Sequence, residues 1–176
     1  KVVAEPELNL KDLKAAPLKN DGLICIDKII CKGLTDVDTF GKNDPLVEFR
    51  FGKQEQAVVT STRTDAGSDC NWDETDEMDL KLVATKNDMI RERNALNVRV
   101  YDYNYIGNKL IGEARVDIRK LMLNMNKQVE IPNFDIYRTD KDREMGKKSG
   151  VLKLTLRLID KPENMVESED GEQVIE

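Results

Sequence analysis

The sequence predicts an all-β protein, an eight-stranded antiparallel β-sandwich with one short helix. Apolar and polar residues alternate over short stretches, most clearly at Leu152, Leu154, Leu156 and Leu158. Loop-forming residues separate these stretches, as between the strands of a sheet that has one buried face. Many short strands with loops between them are typical of a sandwich of two packed sheets.

Eight stretches carry the strand pattern in chain order. They are residues 24–30, 47–51, 57–63, 78–84, 96–100, 110–116, 129–131 and 152–158. In the first of them, Asp27 and Lys28 break the alternation, which predicts a β-bulge. Between the sixth and seventh strands the two-residue period stops, and Asp117 is expected to cap a short helix. The apolar residues of that helix are Ile118, Leu121 and Met122.

We expect one domain, residues 22–159, between two flanking segments. Residues 1–21 carry Leu at roughly helical spacing and two Pro, and we interpret them as a linker or docking arm. Residues 160–176 form an acidic tail that is too polar to fold alone. Both segments are expected to be dispensable for the sandwich and ordered only by a partner or by docking on the sheet.

The composition argues against several classes of function. The chain has 176 residues, a net charge of −6 and no His, so the commonest general base is missing. Nucleophile motifs and phosphate-binding Gly-rich loops are also missing, so we expect no enzyme. The negative charge argues against nucleic-acid binding. No apolar run is long enough to span a bilayer. We expect a cytoplasmic, peripheral membrane or cytoskeleton-associated protein.

The three Cys predict free thiols rather than disulfides. Cys25 and Cys31 lie in one predicted strand, about 20 Å apart if it is extended, so they cannot bond to each other. The sequence has no Cys-x-x-Cys. We therefore expect thiols of an intracellular β-protein. Trp72, the single Trp, is expected in the core or at its rim.

Three aspartates mark candidate loops. Asp38 and Asp44 follow the first strand, and Asp102 ends the fifth. Acidic side chains at separate strand ends converge only if the folded sheet brings those ends together. Hard-oxygen clusters of this kind suit Ca²⁺. Turn chemistry explains the same residues, because Asp accepts hydrogen bonds from its own backbone in loops. The sequence leaves both interpretations open.

Four segments, in chain order, resemble the C2 domain family. They resemble its first calcium loop with the following strand, the turn before its fourth strand, its third calcium loop and its closing strand. The residues are Gly33-Leu34 with Asp38 and Gly41-Lys42-Asn43-Asp44-Pro45-Leu46-Val47, Asn71-Trp72-Asp73-Glu74, Val100-Tyr101-Asp102-Tyr103-Asn104 with Lys109-Leu110-Ile111-Gly112, and Gly150-Val151-Leu152-Lys153-Leu154. The resemblance covers residues 22–159. It implies a Greek-key sandwich of the second permuted topology (type II), the form that ferlin-type and ubiquitin-ligase-type C2 domains use.

The resemblance implies a calcium-regulated membrane-docking module with a weakened metal site. Asp38, Asp44 and Asp102 match three family ligands, and the carbonyl of Tyr103 would be a fourth. Asn104 and Lys109 stand where the family usually has Asp. Unit charges about 4 Å apart interact by about 4 kcal/mol at an effective dielectric near 20. Even about 3 kcal/mol costs roughly a hundredfold in affinity. We expect at most one weak Ca²⁺, held by Asp38, Asp44, Asp102 and Asn104.

The same loops carry candidate membrane contacts. Aromatic and apolar tips suit a membrane interface, and basic residues suit anionic headgroups. The candidates are Phe40, Lys42, Tyr103, Tyr105, Ile106 and Lys109, with Arg115 as a further basic residue. Packing of one loop on another, or contact with a protein, explains the aromatic and apolar residues equally well, and an ordinary solvated face explains the basic ones.

Two functions therefore compete. The first is a peripheral phospholipid-binding module with weak or absent calcium dependence. The alternative is a calcium-independent protein–protein interaction module within a larger trafficking or cytoskeletal protein, with residues 1–20 or the tail contacting the partner. A fully calcium-switched lipid sensor is disfavoured by Asn104 and Lys109.

Overall fold

The structure is a computed structural model that describes residues 8–19, 21–38, 40–52, 57–91, 94–162, 165–167 and 173–175. Its strands are β1 (Asp21–Lys32), β2 (Pro45–Phe51), β3 (Val58–Val59), β4 (Cys70–Trp72), β5 (Lys81–Thr85), β6 (Leu96–Asp102), β7 (Lys109–Val116), β8 (Val129–Ile136), β9 (Gly150–Asp160), β10 (Met165–Glu167) and β11 (Gln173–Ile175). Its α-helices are α1 (Leu10–Lys14), α2 (Lys86–Ile90) and α3 (Asp140–Glu144), and two 3-10 helices span Glu74–Asp76 and Arg119–Asn124. Among these helices, none is long and apolar enough to cross a membrane.

Two antiparallel sheets form the predicted sandwich. One has the order β4-β1-β9-β8, with β5 also pairing with β1, and the other has the order β3-β2-β6-β7. The four alternating Leu of β9 are all fully buried, as are Phe49 and Val98 on the facing sheet. The inward residues of the two sheets therefore make one core, which the alternation in the sequence predicted.

The strands differ from the prediction in detail. The described part of the sandwich includes β4, a short strand in a stretch that the sequence pattern left as a loop. In the predicted strand 57–63, only Val58 and Val59 pair as a strand with β2. Beyond them, the Thr60 N–H donates to the Val47 carbonyl and the Arg63 N–H to the Pro45 carbonyl, so the chain follows β2 irregularly.

Two local predictions are confirmed. The pairing of β1 with β9 shifts register between Ile26 and Lys28, as a bulge requires. The helix between the sixth and seventh predicted strands exists as the 3-10 helix Arg119–Asn124, which buries Leu121 and Met122. The N-cap residue is Ile118, not the predicted Asp117, although the Asp117 carboxylate accepts a hydrogen bond from the Arg119 N–H at 3.0 Å.

The described part of the predicted arm, residues 8–19, packs on the domain. Leu13 of α1 and Leu18 are buried in the same core cluster as the strands. The Lys86 ammonium of α2 donates to the Ala16 carbonyl at 2.7 Å. Helices α1 and α2 and the 3-10 helix Arg119–Asn124 contact one another at the end of the sandwich where β1 begins. The helical Leu spacing was visible in the sequence, but the apolar surface that receives it was not. Residues 1–7 lie outside the described residues.

The tail was expected to be disordered when alone, and the structure differs over two short stretches. β10 and β11 pair antiparallel, with Val166 opposite Val174. β-branched residues favour such a pairing. The other residues of the tail from 163 onward lie outside the described residues.

The connections at the far end of the sandwich carry the candidate residues. β1 enters and β9 leaves at one end, because Gly22 pairs with Asp160. The opposite end has loop 1 (residues 33–44), loop 2 (residues 60–69) and loop 3 (residues 103–108). β1 leads directly into loop 1, and β9, which begins at Gly150, closes the sheet, as in the second permuted topology expected from the sequence.

Candidate functional site

Three aspartates converge between loop 1 and loop 3. Each of the three residues Asp38, Asp44 and Asp102 has a carboxylate oxygen that lies within 4.8 Å of a carboxylate oxygen of the other two. Asp102 ends β6 directly opposite Pro45, the first residue of β2. This register places Asp44 and Asp102 side by side, and loop 1 folds back to add Asp38. The sheet thus brings the strand ends together as the sequence predicted.

Each of these carboxylates also accepts a backbone hydrogen bond. Asp102 Oδ1 accepts from the Asp44 N–H at 2.7 Å. Asp44 Oδ1 accepts from the Asp65 N–H of loop 2 at 2.6 Å, and Asp38 Oδ1 from the Phe40 N–H at 3.2 Å. A carboxylate has about four lone-pair sites, so one such bond leaves capacity for a cation. Turn chemistry and metal ligation are therefore compatible here.

The electrostatics of the cluster favour a cation. The Asp102 side chain is buried, and burial raises its pKa, with further raising by the charges of Asp38 and Asp44. The hydrogen bond from the Asp44 N–H and the charge of the Lys109 ammonium lower the pKa of Asp102. Lys109 stands opposite Asp102 in the β6–β7 register. A positive charge thus already lies beside the cluster and partly neutralises it.

The cluster fits one Ca²⁺ by size and donor type. Ca²⁺ binds oxygen at 2.3–2.6 Å, so two ligands of one ion are at most about 5 Å apart. The 4.8 Å limit on the three carboxylates meets this condition. Ca²⁺ takes six to eight oxygens, so three carboxylates make an incomplete shell that needs carbonyl, amide or water oxygens.

Tyr103 and Asn104 organise loop 3. The Tyr103 N–H donates to the Asp44 carbonyl at 2.9 Å and so joins loop 3 to loop 1. Asn104 Oδ1 accepts from the Ile106 N–H at 3.3 Å, and the Asn104 N–H donates to Asn108 Oδ1 at 3.2 Å. The metal-ligand roles of Tyr103 and Asn104 stay predictions.

The tips of loops 1 and 3 expose apolar side chains. Phe40 is 89% exposed, Tyr105 94% and Ile106 95%, while Tyr103 is about half exposed. Lys42 is exposed in loop 1. Single exposed apolar residues are common, but here three nearly bare ones lie in the two loops that carry the acidic cluster.

Arg115 does not belong to this surface. It pairs with Asn97 near the far end of β7, away from loop 3. A strand rises about 3.3 Å per residue, so six residues separate Arg115 from Lys109 by about 20 Å. Arg115 therefore lies too far from loop 3 to be one of the candidate headgroup contacts.

Loops 1 and 2 are braced by residues that sequence reasoning missed. Asn43 is buried; its Oδ1 accepts from the Val37 N–H at 3.1 Å, and its Nδ2 donates to the Thr35 carbonyl at 2.9 Å. Arg63 in loop 2 hydrogen-bonds the Asp76 carboxylate and lies 5.4 Å above the Trp72 ring. The sequence signal that could have identified Asn43 is its position directly before Asp44 and Pro45 in an Asn-Asp-Pro turn.

Two acidic residues that follow loop 2, Asp73 and Asp76, have a structural role. The pKa of Asp76 is lowered by the hydrogen bond from Arg63 and by the Asp73 N–H. Trp72 is fully buried, as predicted, and its indole N–H donates to the Ser61 carbonyl at 3.0 Å. These contacts fix loop 2 on β4.

A family comparison decides what this sandwich is. The C2 domain model matches residues 22–133, more than half of the chain. The chain belongs to the C2 domain family. The match spans β1 to β8, and therefore includes all three loops of the candidate site. No curated protein sequence matches the chain.

Solved structures of other C2 domains have the same fold. A C2 domain of plant extended synaptotagmin 1 is 16% identical at a TM-score of 0.57, covering 82% of this chain and 97% of that chain. Human GIVD cytosolic phospholipase A2 is 16% identical at 0.58, covering 85% of this chain and 18% of that chain. The calcium-bound pair of C2 domains of extended synaptotagmin 2 is 16% identical at 0.53, covering 81% and 46%. Since this C2 domain spans so little of the phospholipase, the similarity concerns the fold and not its catalysis.

Proposed function

We propose that this C2 domain is a peripheral membrane-binding module that docks the tips of loops 1 and 3 onto anionic phospholipid, with weak or absent calcium dependence. The observation that carries the proposal is the exposure of Phe40, Tyr105 and Ile106 at one end of the sandwich. Fully burying a side chain of this size is worth about 1.5–3 kcal/mol. Partial insertion of these three side chains into a membrane interface would therefore contribute favourable binding free energy.

The two basic residues beside the tips support an anionic surface as the target. Lys42 and Lys109 lie in or beside loops 1 and 3, and each basic residue near such a surface contributes about 1 kcal/mol. The aspartate cluster opposes them by repelling the headgroups. Tyr103 and Tyr105 suit the boundary between headgroups and acyl chains, because a Tyr ring is apolar and its hydroxyl is polar.

We propose that calcium helps only weakly. Asp38, Asp44 and Asp102 would hold the ion, with the Tyr103 carbonyl and Asn104 completing part of its shell. When bound, Ca²⁺ supplies positive charge that removes the repulsion between the cluster and the headgroups. The neighbouring Lys109 charge and the neutral Asn104 lower the affinity to roughly 10⁻⁴ M or weaker by the ligand-charge logic of oxygen sites. One solved structure of similar fold is a calcium-bound pair of C2 domains, which supports calcium as the ion to test.

Vesicle sedimentation tests this function. We expect the wild-type chain to bind vesicles of phosphatidylcholine with phosphatidylserine in the presence of chelator, and to bind phosphatidylcholine alone poorly. Replacing Tyr105 and Ile106 by Ala should lower the affinity at least about tenfold, since two exposed apolar groups are lost. Millimolar Ca²⁺ should raise binding only modestly.

The opposite end of the sandwich offers a matched control. Leu10 and Leu123 are each about half exposed there, far from the loops. Their double replacement by Ala removes exposed apolar surface from the other end of the sandwich and should leave vesicle binding unchanged. Equal binding by the loop variant and the wild type would move the contact away from loop 3. Failure of the wild type to bind any vesicle would favour the protein–protein interaction function instead.

A further inference from the structure

Two cysteines that are distant in sequence face each other in the sheet. Cys31 of β1 and Cys70 of β4 are direct cross-strand partners in the antiparallel register. Both side chains belong to the same core cluster, so both point to the inner face of the sheet. Opposed residues of antiparallel strands have Cα atoms about 4.5–5.5 Å apart. A disulfide requires 4.4–6.8 Å, so the backbone already holds the pair at bonding distance.

We propose that Cys31 and Cys70 form a redox-modification site, at which a hydroperoxide converts the two thiols into a reversible cross-strand disulfide. This inference is independent of membrane binding. It also revises the sequence-based expectation of free thiols. The partner of Cys31 in the sheet is Cys70 of β4, not Cys25.

The two thiols have different reactivities. Cys70 lies on the edge strand β4 and is 9% exposed, whereas Cys31 is 1% exposed. The pKa of Cys70 is lowered because its sulfur accepts a hydrogen bond from the Cys31 thiol and because the Arg63 charge lies nearby. The pKa of Cys31 is raised by the same hydrogen bond and by burial. Because Cys70 is the more exposed of the two, a peroxide reaches it first, so Cys70 is the attacking thiolate and Cys31 is the resolving thiol.

The reaction balances with one hydroperoxide. The Cys70 thiolate attacks the O–O bond and becomes a sulfenic acid, while the distal oxygen leaves as water or an alcohol after taking a proton. The Cys31 sulfur then attacks the sulfenic sulfur, the S–S bond forms, and the hydroxyl leaves as water with the Cys31 proton. Two electrons pass from the two sulfurs to the peroxide, and a dithiol reverses the change.

The disulfide would tie the bases of loop 1 and loop 2 together. The Gly33 N–H donates to Asp69 Oδ1 at 2.9 Å, and the Leu34 N–H donates to the Ser68 carbonyl at 3.0 Å. These bonds already fix the two loop bases, so the new bond needs little movement. It closes a chain segment of about 40 residues, which restricts the unfolded state. We expect the melting temperature to rise by roughly 5–10 °C on oxidation.

Cys25 is the internal control. It is buried in the same strand, but it pairs with Lys81 and Arg157, so no thiol faces it among its register partners. Burial raises the pKa of its thiol. We expect Cys25 to remain a free thiol when the pair is oxidised.

Peptide mapping of the full chain tests the proposal. After treatment with equimolar hydrogen peroxide, non-reducing digestion should release the peptides of Cys31 and Cys70 as one species lacking two hydrogens, and dithiothreitol should separate them. The Cys25→Ser variant should give the same cross-link and the same rise in melting temperature. The Cys70→Ser variant should give neither; if it does not fold, the wild-type and Cys25→Ser maps decide. Cys31 and Cys70 alkylated separately after peroxide, or oxidation at Cys25 alone, would overturn the proposal.

Discussion

Leu13 offers a sharp test of how the segment before β1 contributes to the domain. The sequence predicted this segment as a linker or docking arm that is dispensable for the sandwich. In the structure, Leu13 of α1 is fully buried in the core cluster of the sandwich. We expect Leu13→Ala to destabilise the whole domain, and removal of residues 1–21 to cost at least as much.

The magnitude follows from what the substitution removes. Leu→Ala deletes three carbons, which is worth about 2.4 kcal/mol at about 0.8 kcal/mol per buried carbon. The cavity left between α1 and its neighbours adds to this, and fully buried Leu→Ala changes cost about 2–5 kcal/mol. For a chain of this length, about 1 kcal/mol shifts the melting temperature by about 2–4 °C. We therefore expect a loss of roughly 5–15 °C, measured by circular dichroism.

Leu10 provides the control on the same helix. It is about half exposed, so Leu10→Ala should change the melting temperature by no more than about 2 °C. Near-identical melting of both variants and the wild type would show that α1 is not part of the cooperative core. In that case amide exchange would find α1 opening at low free energy, and the reasoning that assigns it to the domain would be wrong.

The remaining predictions concern charge. Replacing Asn104 and Lys109 together by Asp should raise calcium affinity at least about tenfold by calorimetry, because it adds three units of negative charge beside the cluster; Lys42→Asp should gain less, and no gain in the double variant would mean that loop 3 is misaligned with the family. Asp76→Asn should lower the urea midpoint at pH 7 and lose this effect in acid. The pKa of Asp76 is lowered by its hydrogen bond from Arg63, so its stabilising contribution is present above the ordinary carboxyl pKa and disappears as pH falls through the lowered one; an equal deficit at pH 7 and pH 3 would contradict this.

The sequence carried enough information to predict the sandwich and the convergence of the aspartates. Alternation along β9 is a local signal that survives without knowledge of the partner strand. Asp44 and Asp102 flank apolar strands that must lie in one sheet, so their proximity follows from the strand ends. The exposure of Tyr105 and Ile106 follows from a short loop that has no room to bury them.

Features that depend on non-local register could not be predicted. The pairing of Cys31 with Cys70 requires β4, whose three residues carry too little pattern to stand out. The packing of Leu13 depends on a surface made jointly by α2 and the 3-10 helix Arg119–Asn124. In each case the missing information was which distant segment lies opposite.

Insertion of the loop tips into a lipid bilayer is the central claim, and tryptophan quenching tests it most directly. In the I106W variant, vesicles of brominated phosphatidylserine should quench the introduced indole and shift its emission to shorter wavelength in the presence of chelator. Trp72 is fully buried and gives a constant background. The L123W variant, at the opposite end, should not respond. Quenching that is equal at both positions, or absent at position 106 while the protein sediments with the vesicles, would contradict insertion through loop 3.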